Sequence, residues 1–188
     1  MTMGRRTTPR IAPIAQEDWD EPLTRIMAVA QNQGVKPVNI VSTIARHPDL
    51  FNSWLGLATF LLAGGEIPLR VRELAILRTA HHNQCSYEWA QHACLARELG
   101  LTDDEIAALR EPLTHHDWQE DDRIVLNAVD EILNTGEVTD PTWKNLTGRY
   151  DDKQLMELVI LVGHYTMLAF VVRTLRTPVE AWYDTTAV

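Results

Sequence analysis

The chain has 188 residues, 45% of them apolar and 23% charged, with a formal net charge of −9 and two cysteines. That length suits one domain with a full hydrophobic core, and the composition excludes a disordered polymer. The acidic balance argues against a general nucleic-acid binder. Two cysteines are too few for a disulfide-stapled scaffold, or for a cysteine-based zinc or iron–sulfur site without help from histidine.

Residues 1–15 are polar and punctuated by proline, and read as a flexible N-terminal arm ahead of a single domain over 16–188. The basic start leads into no apolar run, so no signal peptide is expected. Leu23, Ile26, Met27 and Ala30 have helical spacing, with Pro22 in the first turn and Gly34 as the stop. A short helix over 39–45 ends at His47-Pro48. Asp49 then caps a helix through Phe51, Trp54, Leu55, Ala58, Phe60 and Leu62, stopped by Gly64-Gly65.

Pro68 opens a helix through Val71, Leu74, Ala75 and Leu77 to about His82, and Asn83-Gln84 breaks it. The next helix runs from Cys85 or Ser86 to Leu99, with Gly100 as its stop. Thr102 and Glu105 form a capping box that starts a short helix ending before Pro112. A polar joint over 114–119 leads to an amphipathic helix over 121–135, ended by Gly136. Asp140-Pro141 starts a helix to about Arg149, and Asp151-Asp152 starts a long one to about Leu175, limited by Pro178.

No window alternates as a strand, and the apolar run Leu158–Val162 sits inside a longer helical pattern. The predicted fold class is all-α, a single-domain bundle of about eight or nine helices. The longest uncharged apolar stretch, Leu158 to Val172, is shorter than the roughly 20 residues that cross a bilayer. A buried core helix, no membrane partner and a reducing cytoplasm with free thiols are the expectation.

The chemistry-bearing segment is Glu73 to His92, ELAILRTAHHNQCSYEWAQH. On one helix, Cys85, Glu88 and His92 point within about 60° of one another, and Trp89 lies about 40° from Cys85, where it can wall that face. Thiol, carboxyl and imidazole so grouped can transfer protons, with a carboxylate one turn away orienting the histidine. Burial against Trp89 would raise the carboxyl pKa and lower that of the imidazole, and the helix start would favour a Cys85 thiolate. The plainer alternative is an exposed Glu–His pair and a small core cysteine.

These residues resemble the carboxymuconolactone decarboxylase and alkylhydroperoxidase D-like superfamily. Its motif is a Glu, eleven residues, then Cys-x-x-Cys-x-x-x-His, and here Glu73, Cys85, Glu88 and His92 hold those positions. The neighbouring Pro68-Leu69-Arg70-Val71-Arg72-Glu73, Tyr87-Glu88-Trp89, the run from Gln154 to Leu158, and Gly163-His164-Tyr165 extend the likeness over residues 45–175. The resemblance implies the family's helical bundle, no cofactor, and a homo-oligomer, a trimer or hexamer, with pockets near subunit contacts.

One departure separates this chain from the peroxidase branch: the second motif cysteine is Glu88. The other cysteine, Cys94, would lie about 13 Å from Cys85 along a helix, whereas a disulfide needs Cα atoms within about 7 Å. The resemblance therefore implies a decarboxylase or related lyase, isomerase or dehydratase acting on a small unsaturated lactone or carboxylic acid. By it, His92 is the proton donor or shuttle, Glu88 its partner or a second acid/base, Glu73 its orienting group, and Cys85 a pocket-lining or proton-holding residue. Tyr87, Trp89 and Tyr165 are the candidate substrate-pocket residues. A one-cysteine thiol peroxidase using Cys85, and a non-catalytic binding or assembly protein, are the alternatives.

His81-His82 point about 100° apart on a helix and do not make a metal pair, so no metal is expected. His115-His116-Asp117 reads as solvated loop. His164, in the apolar last helix, is favoured as a satisfied core residue over pocket lining. Phe51 to Leu62 is the helix expected to supply a contact surface between subunits.

Overall fold

In a computed structural model, residues 8–32, 38–180 and 182 are described, and among them the chain is all-helical. The helices are α1 (Glu21–Asn32), α2 (Asn39–Ile44), α3 (Pro48–Thr59), α4 (Leu69–His82), α5 (Ser86–Glu98), α6 (Asp103–Ala108), α7 (Glu120–Thr135), α8 (Asp140–Thr147) and α9 (Asp152–Leu175). Gly34, the expected end of α1, lies outside the described residues.

α4 is the axis of the bundle and packs against α5, α7 and α9. It is buried almost all round, from Val71 through Leu77 and again at Thr79 and Ala80, as a helix enclosed by others must be. One core layer joins Val71, Ala75 and Ile76 to α7 and α9, and a second joins Leu74 and Leu77 to Trp89, Ala93 and Leu126. The chemistry-bearing Glu73 therefore sits at the centre of the fold, fully buried.

Helix ends follow the capping rules. Thr102 and Asp151 form capping boxes with Glu105 and Gln154. Gly100 and Gly136 take φ of +91° and +85°, the left-handed conformation that terminates a helix cheaply only at glycine. At α3 the cap is His47, whose ring accepts from Leu50 N at 3.3 Å, and Asp49 lies inside the first turn instead. Pro48 occupies the first helical position and moves the start two residues earlier than a cap at Asp49 would give.

The C-terminal end of α3 does not run straight to the glycines. Phe60–Gly64 form a π-helical turn, and Arg72 Nη1 donates to the Leu62 carbonyl within it. Gly65 has an ordinary extended backbone, and space is what requires glycine there. A Cβ would meet Glu157 Oε2 at 2.6 Å, and that carboxylate accepts from Glu66 N and Ile67 N.

In the described part of the N-terminal arm, Arg10 N donates to Leu175 O, Ile14 N to Ser42 O and Arg46 Nε to Ala12 O. One expectation changes. α9 has 24 residues, long and apolar enough to cross a bilayer, because the helix continues past the uncharged stretch into Asp152, Lys153 and Glu157. Other helices cover 56% of its most apolar window, which makes it the core helix expected from its pattern.

Candidate active site

α1, α2, α3, α5 and α9 enclose a cavity of about 470 Å³, with Arg25 at its border and Glu88, His92 and Tyr165 on its wall. The rest of the lining is chiefly aliphatic, including Ile26, Val41, Leu55 and Leu168. Arg25 is largely exposed and paired with Glu21, and it is the only lysine or arginine among the lining residues.

Glu73 and His92 meet across the α4–α5 contact. His92 Nδ1–H donates to Glu73 Oε2 at 2.7 Å, and Arg72 Nε donates to Glu73 Oε1 at 2.8 Å. Burial raises the Glu73 pKa, but the charges and hydrogen bonds of His92 and Arg72 outweigh it and hold the carboxyl below its usual range. An ionised carboxylate only accepts, so the proton of this bond is on Nδ1, and Nε2 is the position left for chemistry. The Tyr165 ring meets the His92 ring edge-on at 5.0 Å, fixing its plane.

Glu88 stands one helical turn before His92 but is not its partner. Both Glu88 oxygens are buried and no described protein group satisfies them. Burial pushes this carboxyl up to about 8, with the Cys85 thiol opposing only weakly, so it is protonated at neutral pH. The orienting carboxylate is Glu73 because its helix approaches α5 side-on, whereas Glu88 leans into the apolar cavity. A neutral acid and an oriented imidazole thus share one wall.

Cys85 is placed differently from the helical projection. It is the N-cap of α5, with non-helical φ −96° and ψ 87°, so the 100° rule does not reach its side chain. It borders a second, outer hollow of about 280 Å³ with His81, Trp89 and Arg110, and it also packs against Ile40, Tyr87 and Leu168 behind the cavity wall. Burial and the neighbouring Glu88 push its thiol up to about 12, against the thiolate expected from the helix dipole. Cys94 is exposed and Cys85 buried, and both are free.

Trp89 likewise leaves the cavity. About 100° beyond Glu88 around the helix, it turns into the Leu74–Leu77 layer, with the Arg110 guanidinium 4.1 Å from its ring centroid. Tyr87 does line the cavity, and its hydroxyl donates to Glu180 Oε1 at 2.7 Å.

Residues 48–118, which include Glu73, Cys85, Glu88 and His92, match the Carboxymuconolactone decarboxylase family. This match supports the resemblance of the Glu73–His92 segment to the carboxymuconolactone decarboxylase and alkylhydroperoxidase D-like superfamily. No curated protein sequence matches the chain significantly. Its fold is shared with an uncharacterised peroxidase-related protein from Silicibacter sp., at 17% identity and TM-score 0.82, covering 97% of each chain. A peroxidase-related protein from Ralstonia eutropha with an alkylhydroperoxidase AhpD core has 17% identity and TM-score 0.76, covering 91% of this chain and 93% of its own. The debrominase Bmp8 in complex with 2,3,4-tribromopyrrole has 19% identity and TM-score 0.73, covering 91% of each chain.

Two polar residues outside the Glu73–His92 motif also matter, Glu180 in the C-terminal segment and His164 on the cavity wall. Glu180 accepts from Tyr87 Oη, from Asn39 N at 2.5 Å and from Gln91 Nε2 at 3.1 Å, joining the C-terminal segment to α2 and α5. It lies 93 residues from Tyr87 in sequence, beyond the reach of any spacing rule. His164 lines the cavity rather than forming a satisfied core residue, with Nδ1 buried and unpartnered among the described residues. Its place in an apolar run was the signal, since a buried imidazole needs a partner. Among the described residues no three His, Cys, Asp or Glu side chains converge as a metal-ligand set.

Proposed function

We propose that this chain is a cofactor-free acid–base enzyme acting on a small unsaturated lactone or carboxylic acid, with His92 as the proton donor. The observation that supports this reading is the Arg72–Glu73–His92 chain ending at an apolar cavity whose wall also carries the protonated Glu88. In a decarboxylation the bond between the carboxylate and the ring breaks, carbon dioxide leaves, and the electron pair enters a conjugated dienolate. The proton on His92 Nε2 then passes to the terminal carbon, and solvent restores it. Glu73 holds the ring in line and balances its charge while Nε2 is protonated. Glu88, as a neutral acid, donates a hydrogen bond to the carbonyl oxygen where dienolate charge gathers. Isomerisation, dehydration or ring closure would draw on the same pair.

The thiol-peroxidase reading needs a reactive Cys85, and its burial and raised pKa speak against that. We also propose a homo-oligomer, a trimer or hexamer, because an apolar stripe on α9 is left exposed.

The test is incubation with a panel of unsaturated lactones and carboxylated lactones in deuterated water, followed by proton NMR. Deuterium entering one ring carbon, with carbon dioxide released where a carboxylate is present, is the expected result, and His92→Ala abolishes it while circular dichroism is unchanged. Hydroperoxide turnover with sulfenate trapped at Cys85, and no deuterium in any lactone, would overturn the proposal.

A further inference from the structure

The cavity carries a second set of polar atoms that the proton-transfer chemistry does not use. Trp54 Nε1 on α3 and His164 Nδ1 on α9 are both buried, both belong to lining residues, and neither has a protein partner among the described residues. Their rings are stacked nearly parallel, 7° apart in plane with centroids 6.3 Å apart. Tyr165 separates them from the acid–base pair, meeting the His164 ring at 5.5 Å and the His92 ring at 5.0 Å.

Unpaired buried polar atoms are costly and rare. Phenylalanine at either position would carry no polar atom to satisfy, so two such atoms on residues of one cavity wall point to something the cavity receives. The indole N–H can only donate. The imidazole, its pKa lowered by burial, is neutral and brings no cation to this end. A carboxylate would lack a countercharge here, whereas an uncharged oxygen would not need one.

We infer that Trp54 and His164 form a polar subsite for an uncharged hydroxyl or carbonyl oxygen of the ligand, beyond Tyr165 from His92. A hydroxyl would use both groups, accepting from Trp54 Nε1–H and donating to His164 Nδ1. The ligand class is thereby narrowed to small, flat, largely apolar molecules with an oxygen at each end. This deepens the reading of the cavity as a substrate site and rests on it. It concerns binding alone, however, so loss of turnover and loss of this contact are separately observable.

The probes are coumarin, an unsaturated lactone with one polar end, and 7-hydroxycoumarin, which adds a hydroxyl at the opposite end. Affinities are measured by calorimetry at about pH 6, where the phenol is un-ionised. The expected result is roughly tenfold tighter binding of 7-hydroxycoumarin, as one satisfied hydroxyl pair supplies. Trp54→Phe and His164→Phe should each reduce that preference towards equality. In the unmodified protein, the Trp54 indole N–H resonance, assigned by its loss in Trp54→Phe, should move on adding 7-hydroxycoumarin and much less on adding coumarin. The NMR arm keeps the test decisive if a variant folds poorly. Wild-type protein that binds the two probes equally or binds neither, folded variants that keep the preference, or an indole resonance that responds alike to both would each overturn the inference.

Discussion

At the scale of single residues, three carboxyl or thiol groups near one histidine have been driven to different states by their surroundings. Glu73 is ionised because Arg72 and His92 both donate to it, and Glu88 is protonated because no charge partner faces it. Replacing Glu73 by Gln removes the charge and leaves Arg72 without its carboxylate. Turnover should fall roughly 10–100-fold, measured as kcat beside a thermal melt that separates chemistry from folding. Glu88 predicts a pH effect whose sign follows from linkage. The unfolded chain releases this proton near the ordinary carboxyl value of 4.5, and the folded one holds it to about 8. Between those values the native state binds more protons, so Glu88 lowers stability as pH rises, and the loss levels off above about 8. Glu88→Gln should therefore raise the melting temperature more at pH above about 8 than below 4.5. Equal effects at both pH values would contradict the assignment. If Glu88 serves as the neutral acid, activity should also decline as pH passes about 8.

At the scale of elements, the join between α3 and α4 sets the site. The π turn presents the Leu62 carbonyl to Arg72, whose other nitrogen holds Glu73, so the geometry of a chain reversal passes directly to the histidine. Next to it, Glu157 of α9 grips Glu66 N and Ile67 N over the bare face of Gly65. Gly65→Ala should push that carboxylate away and cost about 1–3 kcal/mol, read by chemical denaturation. An unchanged midpoint would mean that the 66–67 backbone is held by other contacts. Most helix boundaries were legible in the sequence because caps are local: Thr102, Gly136 and Asp151 each act within one turn. The π turn was not, because it depends on where α9 and Arg72 stand.

At the scale of the whole molecule, α9 faces two ways. Leu155, Leu158, Leu161, Tyr165 and Ala169 enter the bundle, while Met156, Val159, Ile160, Met167 and Phe170 remain exposed along the opposite side. Their spacing makes one continuous stripe with no charged residue in it. The full-length protein should sediment as a trimer or hexamer, and Ile160→Glu with Phe170→Glu should yield a smaller species in analytical ultracentrifugation. A monomer at all concentrations would remove the oligomer proposal. The sequence pointed instead to Phe51–Leu62, and in the fold Phe51 is buried while Leu57, Phe60 and Leu62 are exposed.

The sequence by itself determined the helical class, most element boundaries and the identities of Glu73, Glu88 and His92, since periodicity, capping and motif spacing are properties of neighbouring residues. The tertiary structure decided which carboxylate serves His92, because that depends on how α4 crosses α5 and not on residues counted along one helix. It also turned Trp89 away from the cavity, because a large ring follows the deepest apolar layer, and it buried Cys85 as the N-cap of α5. Glu180 entered only through packing, and the same packing gave Arg72, His164 and Trp54 their polar roles, because burial gives a polar atom its consequence.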